Sequence, residues 1–178
     1  MQIRETSADD LPAVMRLQEA AFGQAEEAEL TRAILADPTA APTLSLLAQD
    51  DGKVLGHVLF SRVRLTGPAS DCAAAILAPL AVLPEAQGRG VGGRLIEAGL
   101  ARLRERGVAL VFVLGDPAFY NRFGFQAAGR QGLAAPYPIP EEHAEAWRVQ
   151  ALNGVVLGRL RGSVICGDSL MRPELWRE

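Results

Sequence analysis

The sequence predicts an α/β domain, a mixed β-sheet flanked by helices, and three observations lead there. An apolar run from Ala73 to Leu83 feeds a stretch with four glycines in six positions, Gly88-Arg89-Gly90-Val91-Gly92-Gly93, and these open an amphipathic helix. A second run, Val108 to Leu114, is almost wholly apolar, as expected of a strand covered on both faces. Upstream, Asp51-Gly52 between two strand-like segments is a strong hairpin signal.

Taken in order, Met1 to Glu5 reads as a short strand. Ser7 precedes Asp10 by three positions, a capping-box start for a helix whose apolar stripe is Leu11, Val14, Leu17, Ala21 and Phe22. Gln24 to Ala36 continues as an acidic helix through Glu26, Glu27 and Glu29, stopped by Pro38. Thr43 to Ala48 and Lys53 to Leu65 are the hairpin strands, and Gly67-Pro68 breaks the second. Ala73 to Leu83 is the next strand. Pro79 inside it has no N–H for a ladder, so a bulge or splay is expected there, leaving neighbouring amides free to bind something else. The helix spans Arg89 to Arg106, with Val91, Leu95, Ala98 and Arg102 or Leu103 as its inner stripe. After the strand 108–114, Asp116 to Phe123 is a short helix. Turn-rich sequence with Pro136, Pro138 and Pro140 then leads to two closing strands, Trp147 to Leu152 and Gly162 to Cys166.

Composition narrows the function classes. A chain of 178 residues is most simply one domain, 1–178, large enough for a core without staples. A formal net charge of −3 argues against a nucleic-acid partner, whose footprint would be basic. The longest apolar stretches are too short to span a bilayer, and Met1-Gln2-Ile3-Arg4-Glu5 lacks a signal-peptide core, so no membrane partner is expected. Cys72 and Cys166 have neither metal-ligand spacing nor disulfide density, which reads as reduced thiols in a cytoplasmic protein. With His57 and His143 the only histidines, no metal site is expected.

Glycines at a strand-to-helix junction let backbone amides approach an anion, and the helix N-terminus adds a partial positive charge. Three phosphate-binding readings compete. A P-loop needs Lys and Ser or Thr after its glycines, and Arg94 and Leu95 stand there instead. A dinucleotide site is matched by Gly88, Gly90 and Gly93, with Asp116 as the ribose acid. Against it, Pro84 to Gln87 separate the strand from the first glycine, and too little chain follows for a doubly wound sheet.

The third reading is Q-x-x-G-x-G, carried by Gln87, Gly90 and Gly92. Roughly thirty residues on, Phe119-Tyr120-Asn121-Arg122-Phe123-Gly124-Phe125 fits Y-x-x-x-G-F. Both motifs in order, with a helix and a strand between, resemble the GNAT superfamily of acetyl-CoA-dependent N-acetyltransferases. The string from Leu114 to Phe125 is similar to one subgroup of small bacterial members. The resemblance covers Ile3 to Phe125 well and the C-terminal third loosely. It implies a central mixed sheet of about seven strands, splayed between the fourth and fifth to admit the pantetheine arm, and Pro79 falls where that family's fourth strand bulges.

The resemblance also implies roles. The loop Gln87, Gly88, Arg89, Gly90, Val91, Gly92, Gly93 and Arg94 would hold the pyrophosphate of acetyl-CoA, with Arg89 or Arg94 steering the phosphates and Arg102 to Arg106 a solvated face. The amides of Leu80, Ala81 and Val82 would bind the pantetheine and polarise the thioester carbonyl, a kind of donor worth about 3 kcal/mol. Tyr120 matches the tyrosine placed near the sulfur as general acid. A free Tyr at about 10 and a thiol at about 8.5 make full proton transfer uphill by roughly 2 kcal/mol, so a hydrogen bond to the departing thiolate serves equally. No general base stands out: the fourth strand has no carboxylate, and Glu26, Glu27, Glu29, Asp71, Glu85, Asp116 and Glu141 remain open, with Asp116 equally suited to cap the Tyr120 helix. His57 and His143 read as packing or surface residues.

The expected acceptor is a primary amine of a small molecule or peptide, entering beside the first two helices and the C-terminal segment. A homodimer is allowed. The other reading of the same features is a GNAT-like acyl-CoA sensor without catalysis.

Overall fold

The computed structural model describes residues 1–177; Glu178, the last residue of the expected 1–178 unit, lies outside them. The chain runs β1 (Gln2–Glu5), α1 (Leu11–Phe22), α2 (Glu26–Ala36), β2 (Thr43–Asp50), β3 (Lys53–Leu65), β4 (Ala74–Val82) and α3 (Val91–Glu105). It continues through β5 (Leu110–Leu114), α4 (Pro117–Tyr120), β6 (Gln126–Ala127), β7 (Leu133–Ala134), β8 (Trp147–Ala151) and β9 (Gly162–Cys166). Among the described residues the sheet has nine strands in the order β1-β2-β3-β4-β5-β8-β6, with β9 on β3 and β7 on β9. The pairs β4–β5 and β7–β9 are parallel and the others antiparallel. The two strands beyond the expected seven are β6 and β7, two residues each, inside the turn-rich segment where no run is long enough to show a period.

Local chemistry sets the elements. The Asp10 carboxylate accepts the Ser7 amide at 2.7 Å and a bidentate Arg4 at 2.7 and 2.8 Å, fixing the entry to α1. Asp51 and Gly52 both have positive φ, +48° and +78°, the geometry that matches the twist of the β2–β3 ribbon. The helix α3 begins at Val91 rather than Arg89, because Gly90 sits in the left-handed region and cannot continue it.

Helices cover both faces. The face under α3 packs Val58 and Phe60 of β3 against Leu95, Ile96 and Leu100. The inner stripe of α3 is thus Val91, Leu95, Ile96, Gly99, Leu100 and Leu103, while Ala98 is only half-buried, a rotation from the expected stripe. Gly99 lies against the Phe60 ring, where a side chain would overlap it, so glycine lets α3 close on β3. On the opposite face α1 packs Val14, Met15 and Leu17 against Leu47, and Ile34 of α2 belongs to the core of Leu59, Ile76 and Phe112. Among the described residues no helix is long and apolar enough to cross a membrane, and no group of His, Cys, Asp and Glu is placed to hold a metal ion.

Candidate active site

The site begins where two strands part. β4 and β5 pair from Ala74–Leu110 to Leu77–Val113, and there the ladder stops, although β4 continues to Val82 and β5 to Leu114. On its other edge Phe60 faces Leu77 while Val58 faces Leu80, so Ala78 and Pro79 stand opposite the single residue Leu59. That is a bulge at the residue that has no N–H to donate.

Register decides which amides are free. Leu83 donates to the Leu55 carbonyl at 2.9 Å, which makes this a hydrogen-bonded pair. In an antiparallel ladder such pairs alternate with non-bonded ones, so Ala81 turns its amide toward His57 of β3 while Leu80 and Val82 turn theirs away, to the side β5 has left. The Val82 carbonyl points the same way and accepts Gln87 Nε2 at 3.3 Å. The expected trio of amides therefore becomes two: Ala81 serves the sheet.

The glycines divide by task. Gly88 and Gly90 have φ of +76° and +80° with open space where a Cβ would go, so they shape the loop and leave its outer side uncovered. A Cβ on Gly92 would instead meet Phe119, Val82 and Leu80 at 3.5 to 3.7 Å, and one on Gly93 would sit 2.8 Å from Phe123. These two seat α3 against the aromatic segment after β5. The first intrahelical bond is Arg94 to the Gly90 carbonyl at 3.1 Å, so the amides of Val91, Gly92 and Gly93 precede the ladder, and Gly90 has no side chain to cap them. Arg89 and Arg94 are exposed beside this end, and neither forms an ion pair among the described residues. An uncapped helix end, rimmed by two arginines and reached through a glycine loop, suits a pyrophosphate.

Tyr120 lies at the end of α4, only 8% exposed. Its ring meets Phe119 and Phe125 edge-on, with centroids 5.0 and 5.6 Å away, and rests on Gly115, where no side chain would fit. Its hydroxyl has no hydrogen-bond partner among the described residues. Burial, with the nearby Asp116 carboxylate adding to it, pushes the phenol up to about 12. Asp116 itself accepts the Ala118 amide at 3.0 Å and caps α4.

The open base candidates scatter. Glu85 is exposed and pairs with Lys53 at 3.3 Å. Asp71 and Glu141 are exposed. Glu26, Glu27 and Glu29 form the first turn of α2 and line a cavity of about 570 Å³ with Leu30, Arg172 and Glu174. A second cleft of similar size, bounded by Arg62, Arg64, Arg106 and Asp71, lies toward the paired end of β4 and β5, away from their parting. His143 is exposed, whereas His57 is fully buried. Its Nδ1 is 2.9 Å from Gln18 Nε2 and its Nε2 is 2.8 Å from Ser45 Oγ, and burial pushes the imidazole down to about 4. Sequence reasoning passed over this network and over Arg148, a buried cation on β8. For Gln18 the available signal was a polar residue on an apolar helix face, four positions after Val14. Arg148, alternating with Trp147 and Val149 along a strand, reads as an outward-facing position and gave no signal.

Comparison with known proteins agrees with this geometry. Residues 2–128 match the family model described as an acetyltransferase (GNAT) domain. The uncharacterized N-acetyltransferase YjhQ of Escherichia coli K12 is 46% identical over 164 residues, 92% of this chain and 90% of that protein. A crystal structure of the E. coli GNAT family N-acetyltransferase YhbS in complex with CoA superposes with a TM-score of 0.85 at 34% identity, covering 96% of this chain and 92% of that one. A GNAT family acetyltransferase from Brucella melitensis, in complex with acetyl-CoA, gives 0.74 at 32% identity over 94% of this chain and 96% of its own. With its parted β4 and β5, its glycine loop and these relatives, the chain belongs to the GNAT family of acetyltransferases.

Proposed function

We propose that residues 1–178 act as one cytoplasmic domain that transfers the acetyl group of acetyl-CoA to a primary amine of a small molecule or peptide, by direct attack in a ternary complex. The observation that carries this reading is the parting of β4 from β5 beyond Leu77–Val113, with the Leu80 and Val82 amides turned into the gap. The loop at the α3 N-terminus stands at the end of the same strand. The CoA and acetyl-CoA complexes of the E. coli and Brucella proteins support the choice of ligand.

Acetyl-CoA brings the activated acetyl thioester, and this chain does the rest. The amides around Gly88 to Gly93 hold the pyrophosphate, and Arg89 and Arg94 draw the phosphates in. The Leu80 and Val82 amides take the pantetheine and polarise the carbonyl. Tyr120 offers its hydroxyl to the departing sulfur. With the phenol at about 12 and a thiol at about 8.5, full proton transfer would be uphill by about 5 kcal/mol, so Tyr120 acts as a hydrogen-bond donor and water completes the protonation.

Because α1 and α2 pack on the face opposite α3, the acceptor enters from their side, along the acidic groove of Glu26, Glu27 and Glu29, which suits an ammonium ion. The decisive experiment follows thiol release from acetyl-CoA against a broad panel of amines. Turnover with a primary amine is expected. CoA binding without turnover on any amine would make the chain a sensor, and no binding at all would overturn the reading.

A further inference from the structure

Arg148 is 5% exposed and lies on β8 between Val113 of β5 and Ala127 of β6. Its Nη1 donates to the Glu145 carbonyl at 2.7 Å, and its Nη2 donates to the Phe125 carbonyl at 3.1 Å and to Asn121 Oδ1. Its Nε is buried with no partner. Every partner is neutral, and no carboxylate lies within ion-pair reach among the described residues. A buried guanidinium is ordinarily paired, because removing a charge from water costs more than neutral hydrogen bonds return.

Arg148 lines a cavity of about 380 Å³, walled by Pro117, Asn121 and Gln126, with Arg130 and Glu145 at the rim. Arg130 pairs with the Glu145 carboxylate, but both side chains are exposed, at 74% and 51%, so the pair is weak and Arg130 is available to a better partner. The cavity's charged groups are thus two cations and one carboxylate. Its size suits a small ligand. It is separate from the glycine loop: Phe119 and Phe123 turn toward Gly92 and Gly93 of α3, whereas Pro117 and Asn121 of the same segment face the cavity.

We infer that this cavity binds a small carboxylate, held between Arg148 at its floor and Arg130 at its rim. A carboxylate oxygen has the planar acceptor geometry that Asn121 Oδ1 now presents to Nη2, and replacing it brings the second oxygen to the unpartnered Nε, the bidentate arrangement guanidinium groups favour. Occupancy releases the Asn121 side chain, which adjoins Tyr120, so the site is coupled to the segment bearing that hydroxyl.

The test is a thermal-shift titration with malonate in saturating CoA, which occupies the glycine loop, at constant ionic strength set with chloride. The shift produced by CoA alone is recorded first, so failure of the acetyl-CoA reading is seen separately. Malonate should raise the melting temperature of the wild type above the chloride control. Arg130→Gln should weaken its apparent affinity about tenfold, the loss of one charged hydrogen bond. Arg148→Met should abolish the response, and if that variant fails to fold, the Arg148 Nε–H resonance of 15N-labelled wild-type protein reports instead and should move on titration. Equal shifts from malonate and chloride, a response undiminished in Arg130→Gln, or an unmoved Arg148 resonance would overturn the site. A response to phosphate but not to malonate would overturn the carboxylate assignment.

Discussion

His57 gives a pH dependence whose size follows from its surroundings. The imidazole is fully buried between Gln18 and Ser45 and is pushed down to about 4 by burial, whereas in the unfolded chain it titrates near 6.5. The folded state therefore resists protonation and the unfolded state accepts it. Stability is full above the unfolded value and falls as pH drops toward the folded one. Between pH 8 and pH 5 the loss works out at about 2 kcal/mol, and it levels off near 3 kcal/mol below pH 4. For a chain of this length 2 kcal/mol corresponds to roughly 4 to 8 °C in Tm. The window is clean, because Asp10 and Asp37, both held well below the carboxylate range by hydrogen bonds, lose their contribution only under more acid conditions. Urea unfolding across this range should show the slope in the wild type and in His143→Gln, and should lack it in His57→Gln whatever that variant's absolute stability. A flat wild-type profile, or an equal slope in His57→Gln, would refute the assignment.

Gly90→Glu should lose some stability to backbone strain at φ +80° but, with open space for its side chain, still fold and lose the CoA-dependent rise in Tm; retained binding would remove the loop from the site. Gly99→Ala should lower stability by about 1 to 3 kcal/mol without touching CoA affinity, since its methyl meets the Phe60 ring; an unchanged urea midpoint would contradict that packing. Tyr120→Phe should lower kcat by roughly tenfold to a thousandfold with little change in the acetyl-CoA KM, and an unchanged kcat where chemistry limits the rate would leave Tyr120 a packing residue. Reversing the charge of Glu26, Glu27 and Glu29 together should depress kcat/KM for a cationic amine; equal values would exclude them from acceptor capture.

Much of this architecture was legible in the sequence because its signals are local. Asp51-Gly52, Ser7 with Asp10, and Pro38 each determine backbone geometry through their own chemistry, and the elements they bound lie where expected. Pro79 was informative for the same reason: it cannot serve a ladder, and the bulge stands opposite Leu59. What escaped depends on partners distant in the chain. The strands β6 and β7 exist only through β8 and β9, and their two-residue lengths carry no period. The fate of the Ala81 amide is set by the register of β3 against β4, which one residue of slip would reverse. Gln18, Ser45 and His57 meet across α1, β2 and β3, and only the fold makes them one network.

The glycine motif shows how two demands can share one signature. Gly88 and Gly90 are glycines because of backbone conformation, while Gly92 and Gly93 lie against aromatic rings, and of these two only Gly93 has a ring where a side chain would overlap it. The second pair is what ties the loop to the segment 119–123: Phe119 closes on Gly92 and Phe123 on Gly93, and the same aromatic cluster holds the Tyr120 ring. The glycine loop and the aromatic segment are thus in direct contact, and the α3 N-terminus is braced by the residues that hold Tyr120, the hydrogen-bond donor proposed for the departing thiolate. A larger residue at position 93 would push Phe123 and, through Phe119, the phenol, so a change that leaves every amide of the loop in place would still disturb Tyr120. The loop and Tyr120 are one packed unit, and their spacing in the sequence is the length of α3 and β5 needed to bring them together.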